Sequence, residues 1–407
     1  MFRFKGLFLV VLFVLPAVVS RVSGLEMSAP VSLVVFGMAV VAASFLLAWA
    51  AEAAQMDISG GLAIAVLALV AVLPEYAVDL YFAYTAGQDP TYAAYAAANM
   101  TGSNRLLMGL GWPLVVLLGL MVAKRSGNPL RALPLETGIR VELGFLLLAG
   151  VAAFIAPLTR TISVPLAIAL LAWFGFYLYR VSKQKVEEPD LIGTAAVIGL
   201  LAPRMRRLTV VVMFTVAAGV ILLSAQPFAE SLVTTGKELG IDEFLLVQWL
   251  APLASEAPEF IVAILFALRG NAQDAIATLI SSKVNQWTLL IGSLPIAYWV
   301  GGGGAAGLPL DDRQVEEMLF TATQTLMGVA ILLALRFPRW GAWSLLSIFV
   351  VQFAFTSTSG RLVLSGIYAL IAVVALVIHR RAILPTISAP FRLSDDNSES
   401  APVPDRG

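Results

Sequence analysis

The chain has 407 residues, 59% hydrophobic and 13% charged, with equal numbers of acidic and basic side chains. A mean hydropathy of +0.88 is incompatible with a water-facing surface and marks an integral membrane protein. The absence of cysteine excludes disulfides and thiolate metal centres, the lone His379 leaves histidine zinc chemistry short of ligands, and no basic block points to nucleic acid.

Runs of about 20 apolar residues are long enough to cross the roughly 30 Å hydrocarbon core. After Arg3 and Lys5, a short run at 6–20 suits either a cleaved signal peptide or an extra first helix, within a segment 1–30. Apolar runs follow at 31–54, 60–86, 91–123, 139–157 and 163–181, filling a first unit at 31–181. A polar linker at 182–207 is too short for a folded regulatory domain. A second unit at 208–356 holds runs at 208–226, 244–268, 272–300, 318–336 and 340–356. One more helix at 361–379 belongs to a C-terminal segment 357–383, and 384–407, rich in Pro, Ser and Asp, is expected to be disordered. The pattern predicts an all-α polytopic membrane protein of about 11 to 12 transmembrane helices.

Bases collect in alternate loops: Lys124, Arg125, Arg131 and Arg140, then Lys183, Lys185, Arg204, Arg206 and Arg207, then Arg336 and Arg339. The positive-inside rule makes that side, and the C-terminal tail, cytoplasmic. Asp311, Asp312, Glu316 and Glu317 fall on the opposite side. A multi-pass protein of the cell membrane is expected.

The sequence repeats itself. Residues 56–87, MDISGGLAIAVLALVAVLPEYAVDLYFAYTAG, match residues 239–270, LGIDEFLLVQWLAPLASEAPEFIVAILFALRG. Each has Ile beside an acid, an apolar run, Pro-Glu, and a second apolar run closing on glycine. An odd number of helices separates the copies, so they cross in opposite directions as an inverted repeat of five helices each. In each copy the next helix carries a polar interruption, AANMTGSN at 97–104 and ATLISSKVNQ at 277–286. Proline and the small polar pairs predict four kinked or broken helices at mid-membrane, tolerable only where they line a cavity. A carboxylate at that depth costs roughly 2.5 to 3.5 kcal/mol on insertion scales, so Glu75, Glu256 and Glu259 need partners or a task. The symmetry predicts that Glu75 and Glu259 face each other and share an ion.

At LPEY…ANMTGSN (73–104) and APEF…ATLISSK (257–283) the chain resembles the sodium/calcium exchanger, or cation/calcium antiporter, family. These segments are similar to its two alpha-repeats, a Thr-Ser-Leu-Pro-Glu box followed by Gly-Ser-Asn. The resemblance implies a ten-helix core over about 31–356 and antiport by alternating access. It implies that Glu75 and Glu259 are the principal cation-binding, metal-ligating carboxylates. Asn99 and Thr278 take the second pair of site oxygens, and Ser255, Ser103 and Ser282 match hydroxyl positions. The transported ions are Ca2+, Na+ or H+, with no cofactor.

The chain departs from that pattern at Ala71 and Val72, which replace the Thr-Ser pair of the first box. Glu256 stands at the serine position of the second, Lys283 replaces the asparagine of Gly-Ser-Asn, and Arg105 follows the first Gly-Ser-Asn. Counting Glu75, Glu256 and Glu259 against Lys283 and Arg105 leaves about one negative charge, which favours a monovalent ion over calcium, since calcium takes six to eight oxygens. Sodium/proton exchange is therefore the alternative to calcium or sodium antiport, and a degenerate, non-transporting scaffold a third reading. Lys283 is expected either to bridge Glu256 or to replace a bound cation in one state. No Gly-x-Gly-Asp, His-Glu-x-x-His or Ser-His pairing supports an enzyme. Asp79 lies one turn from Glu75 and reads as a hydrated residue or a proton relay; Asp57, Asp242 and Asp274 read as helix caps. Residues 301–304 read as a flexible external turn, and Trp112, Trp173, Trp287, Trp340 and Trp343 as interfacial anchors. The partners expected are inorganic cations and lipid; the sequence leaves the oligomeric state open.

Overall fold

The apolar runs become helices in a computed structural model of the chain, which describes residues 5–57, 72–183, 191, 193–355 and 357–392. Ala71, the first part of the helix expected at 60–86, and everything past 392 lie outside the described residues. Among those described, eight stretches are long and apolar enough to span a membrane.

Helix α1 (Lys5–Ser23) lies along α2 (Ala29–Ala54). Helix α3 is Leu73–Ala86; α4 (Tyr92–Leu106) passes through a π-helical turn, Leu107–Gly111, into α5 (Trp112–Arg125). Then follow α6 (Arg140–Ala152), α7 (Ile155–Thr159), α8 (Val164–Val181) and the short α9 (Gly193–Gly199). Helix α10 (Pro203–Leu239) packs its small residues against the alanine-rich α2, and α11 (Glu243–Leu268) crosses α4. Helix α12 (Ala272–Asn285) passes through a second π-turn, Gln286–Leu290, into α13 (Ile291–Val300). The chain closes with α14 (Asp312–Leu332), α15 (Arg339–Val351), α16 (Thr358–Ile378) and α17 (Arg380–Ser388).

Two short antiparallel ribbons tie early and late parts of the chain together. Strand β1 (Ala132–Pro134) pairs with β4 (Arg336–Pro338), and β2 (Thr161–Ser163) with β3 (Gly307–Pro309). The first ribbon joins the Arg131 and Arg339 loops at one end of the bundle, where the Arg339 N–H donates to the Arg131 carbonyl at 3.1 Å. The second joins Arg160 to Asp312 at the other end. The Arg131 and Arg339 loops therefore share one end, and Asp311 and Asp312 lie at the opposite one.

Several sequence expectations change. The helix expected at 208–226 runs over 37 residues, about 55 Å at 1.5 Å per residue. Pro227 inside it is accommodated as prolines are in lipid-embedded helices, and Gly240, at φ +65°, ends it. The 182–207 linker is thus helical at Gly193–Gly199 and again from Pro203. The tail expected to be disordered from 384 stays helical to 388 and in a 3-10 turn to 391. It docks on α6, where Arg140 donates to the Thr386 hydroxyl at 3.2 Å. Helix α11 is unbroken through Pro252 and Pro258; the interruptions are the two π-turns, one just past the first polar stretch and one starting at the last residue of the second. Trp112 and Trp287 are fully buried, Trp287 donating to Thr325 at 2.9 Å, whereas Trp340 and Trp343 are exposed as anchors would be. Gly301 packs so closely on α3 that a Cβ would meet the Tyr84 carbonyl oxygen at 1.9 Å, so the 301–304 turn is a fitted contact. Asp57 pairs with Arg206 and Arg207 rather than capping a described helix, and Asp242 caps α11 by accepting from the Phe244 N–H at 2.9 Å.

Candidate functional site

Four helices deliver the polar side chains at mid-bundle. Pro74 starts α3 because its missing N–H falls where a helix has no partner to offer it. That puts Glu75 in the first turn, buried. On α11, Pro252 removes the N–H that would bond the Gln248 carbonyl. Helix α4 exploits that freed carbonyl: Gly102 lies against it so tightly that a Cβ would meet the oxygen at 1.8 Å. This close crossing sets Ser103, the next residue, between Glu75 of α3 and Glu256 of α11.

Ser103 Oγ contacts both Glu75 Oε1 and Glu256 Oε1. Gln286, the first residue of the second π-turn, caps the group. Its Nε2 donates to Glu256 at 2.8 Å, to Ser103 at 2.9 Å and to Glu75 at 3.3 Å. Glu256 Oε2 and Gln286 Oε1 are buried with no hydrogen-bond partner. Glu259, half-buried, accepts from Ser282 Oγ and is near enough to Glu75 for their charges to interact. Lys283 is fully buried; its ammonium donates to the backbone oxygen of Asn104, and to Asn104 Oδ1 at 2.9 Å. It lies 5.6 Å from the Trp287 ring. Tyr76 donates to Asn285 at 2.9 Å beside this group.

The remaining expected residues fall elsewhere. Asn99 is buried next to Asp79, which is itself fully buried, so Asp79 is not a hydrated residue. Neither Asp79 oxygen has the distance and angle of a normal hydrogen bond. Ser255 turns its hydroxyl back to the Ala251 and Pro252 carbonyls at 3.2 and 3.3 Å. Thr278 is exposed and bonds the Asp274 carbonyl at 3.0 Å, away from the acids. Arg105 does not offset them either. It pairs with Glu317 at 2.5 Å, donates to Gln352 at 3.2 Å, and stacks within about 5 Å of Trp249 and Phe320. Glu317 also takes Arg361, from α16, and Gln248 at 3.0 Å. A cavity of about 80 Å³ opens beside Arg105, Gln248, Gln352 and Arg361.

Sequence reading therefore misses Gln286, Gln248, Glu317 and Arg361. Gln286 alone had a signal, since it ends the polar stretch 277–286; the others are single polar residues on long helices. Among the described residues no group of three or more His, Asp or Glu side chains is gathered as a ready metal site. The donors that do converge, carboxylate, hydroxyl and amide oxygens, suit a hard cation.

Comparison with known proteins gives consistent matches. A family model described as sodium/calcium exchanger protein matches residues 28–183 and 209–358. A crystal structure of the H+/Ca2+ exchanger CAX is 42% identical, with a TM-score of 0.89, covering 96% of this chain and 97% of that one. The structure of native YfkE matches at 15% identity and TM-score 0.62, over 90% of this chain and 99% of its own. A sodium-calcium exchanger, NCX_Mj, matches at 17% identity and TM-score 0.51, over 80% and 97%. The last two show likeness of fold alone. No curated protein matches.

Proposed function

The chain belongs to the sodium/calcium exchanger family, and from that premise, which makes it a multi-pass membrane cation antiporter rather than an enzyme, we propose that it exchanges calcium for protons by alternating access. One observation carries the choice of proton. A serine hydroxyl has a single hydrogen to donate, yet Ser103 Oγ is shared by Glu75 and Glu256. A proton held by one of these acids and donated to Ser103 would satisfy both contacts. Glu75, Glu256 and Glu259 are the ligands of the transported ion, with Ser103, Ser282 and Gln286 Oε1 as neutral oxygens. A cation entering the group takes the oxygens that the proton occupied, and such competition for one site is what antiport requires. Asn99 and Ser255 stand one turn away as outer support, and Thr278 has no part.

Two points favour calcium over sodium. The sum predicting a monovalent ion counts Arg105, which pairs with Glu317 instead of with the three site acids. Without it, three acids and Lys283 leave two negative charges, the complement of a divalent ion. The 42%-identical structure is, by its own description, an H+/Ca2+ exchanger.

The five-plus-five inverted repeat belongs to the same proposal. Ser103 and Ser282 each donate to the Pro-Glu carboxylate of their own half, and each π-turn begins four residues later, at 107 and 286. The ribbons pair crosswise, β1 with β4 and β2 with β3, as a twofold axis demands. The end holding Arg131, Arg339 and α17 is assigned to the cytoplasm, which places the C-terminus there.

Purified protein in sealed vesicles tests the reading. A pH gradient alone is expected to drive calcium uptake, and a sodium gradient at uniform pH is not. Uptake that follows sodium and ignores pH would replace the proton with sodium; sodium movement driven by pH, with calcium left behind, would favour sodium/proton exchange.

A further inference from the structure

We infer that the cavity beside Arg105, toward the Asp311 and Asp312 end of the bundle, is a binding site for one small monovalent anion of the size of chloride. The inference does not depend on which cations are exchanged. The cavity, about 80 Å³, lies where α11, α14 and α16 begin and α15 ends. It is lined by Arg105, Gln248, Gln352 and Arg361, with an apolar wall that includes Trp249 and Phe320. One water needs only ~10 to 15 Å³ of such space, so there is room for an ion and some water. Among the described residues no acidic side chain lines it.

Charge points there first. Arg105 and Arg361, both buried, share a single carboxylate: Arg105 holds one oxygen of Glu317 at 2.5 Å, and Arg361 holds the other. Guanidinium groups are charged at neutral pH, so the trio keeps one positive charge in the interior, where an unmatched charge is costly. Neighbouring acids do not relieve it. Among the described residues Asp242 is taken by Arg313 at 2.7 Å, and Glu316 pairs with neither guanidinium. A spare donor points to the same place. Gln352, 6% exposed, closes α15 and turns its Oε1 to Arg105 Nη1 at 3.2 Å. Arginine has only donors to offer, so the amide cannot be the other way round, and Nε2 is left buried with no hydrogen-bond partner. Gln248 is not spare in this way, because its Nε2 donates to Glu317 at 3.0 Å and to Thr101 at 3.4 Å. Trp249 and Phe320, 5.0 and 5.1 Å from the guanidinium carbon, fix the Arg105 fork in position. Two cationic forks and an unused amide N–H therefore border one small space. A single negative ion there cancels the surplus charge and accepts from Nε2, whereas a divalent anion would reverse the imbalance.

The experiment follows thermal unfolding of the full chain in detergent, at fixed pH and ionic strength, as sodium chloride replaces sodium gluconate, whose anion is too large for the cavity. At a chloride concentration about ten times its Kd, binding to the folded state multiplies the folded-to-unfolded ratio about 11-fold. The midpoint is expected to rise by about 1 to 3 °C and then level off. Gln352→Glu puts a carboxylate oxygen where Nε2 was, so its midpoint is expected not to respond to chloride. Crystals of the wild type grown in sodium bromide are expected to show an anomalous peak in the cavity, within hydrogen-bond reach of Gln352 Nε2. A wild-type midpoint with no saturable response to chloride overturns the inference, and so does a response that survives in Gln352→Glu. Should that variant fail to fold, bromide decides, because a wild-type cavity without a peak also overturns it. Neither measurement involves calcium or a pH gradient, so failure of the calcium/proton reading and failure of this inference are told apart.

Discussion

Gly102→Ala adds one methyl group at the crossing of α4 and α11, and the structure says how much room it needs. The new carbon would lie 1.8 Å from the Gln248 carbonyl oxygen, whereas side-chain carbons essentially never approach within 3.0 Å. The helices must therefore part by roughly 1.2 Å. The obstacle is backbone rather than a side chain that can swing away, and overpacking of this kind costs about 1 to 3 kcal/mol. The same movement carries Ser103 away from Glu256. Losing a hydrogen bond to a charged group, about 1.5 to 3 kcal/mol, weakens the hold on the ion or proton by about tenfold or more. The expected result is a lower unfolding temperature in detergent together with calcium uptake reduced at least about tenfold at equal protein. Ser281→Ala is the control, because the counterpart position faces the Tyr177 hydroxyl at 2.5 Å instead of a carbonyl, so it should lose only about 1 kcal/mol. A Gly102→Ala protein as stable and as active as wild type would show that the two helices are not held at this distance.

Glu75→Gln and Glu256→Gln should each abolish pH-driven calcium uptake while leaving the protein folded, read by vesicle flux beside size-exclusion profiles; normal flux in either would remove that residue from the site. Glu317→Ala strands Arg105 and Arg361 in the interior and should destabilise by about 3 to 5 kcal/mol, seen as a fall in thermal midpoint that Glu75→Gln does not share. Hydrogen bonds from Arg206, at 2.6 and 2.9 Å, and from Arg207, against the opposing effect of burial, hold Asp57 down at about 2. A depressed carboxylate stabilises the fold above its ordinary value of 3.8 and ceases to do so as pH falls through about 2. Unfolding temperatures between pH 5 and pH 2 should therefore drop more in wild type than in Asp57→Asn, and parallel curves would show that the pair contributes nothing.

The chain's membrane character and the positions of its apolar helices were readable because lipid imposes length and composition directly. The acids at Glu75, Glu256 and Glu259 were readable for the same reason, since their depth is costly in any fold. Partnership was less legible. Arg105 directly follows Gly-Ser-Asn in sequence, but on a helix residues two apart point about 200° apart, so Ser103 turns to the acids while Arg105 turns to α14. Glu317, its partner, is more than 200 residues away and looks like one loop acid among four. Thr278 shares the sequence place of Asn99, yet its hydroxyl is drawn back to its own helix by the Asp274 carbonyl, a local option that spacing does not reveal. The prolines of α11 were expected to break it; instead the freed Gln248 carbonyl became a docking point for Gly102, which only a three-dimensional neighbour could disclose.

The crosswise ribbons have a bearing on how this molecule is made. Strands β1 and β2 leave the ribosome well before residues 307–338, which hold both of their mates. Until then the first helices must wait in the bilayer with two unpaired backbone edges, one at either membrane surface, open to mispairing with any neighbouring strand. Each edge is only three residues long, and β1 ends in proline, which has no N–H to offer a stray partner. Biogenesis, as much as transport, explains why segments that hold the finished bundle together should be so short.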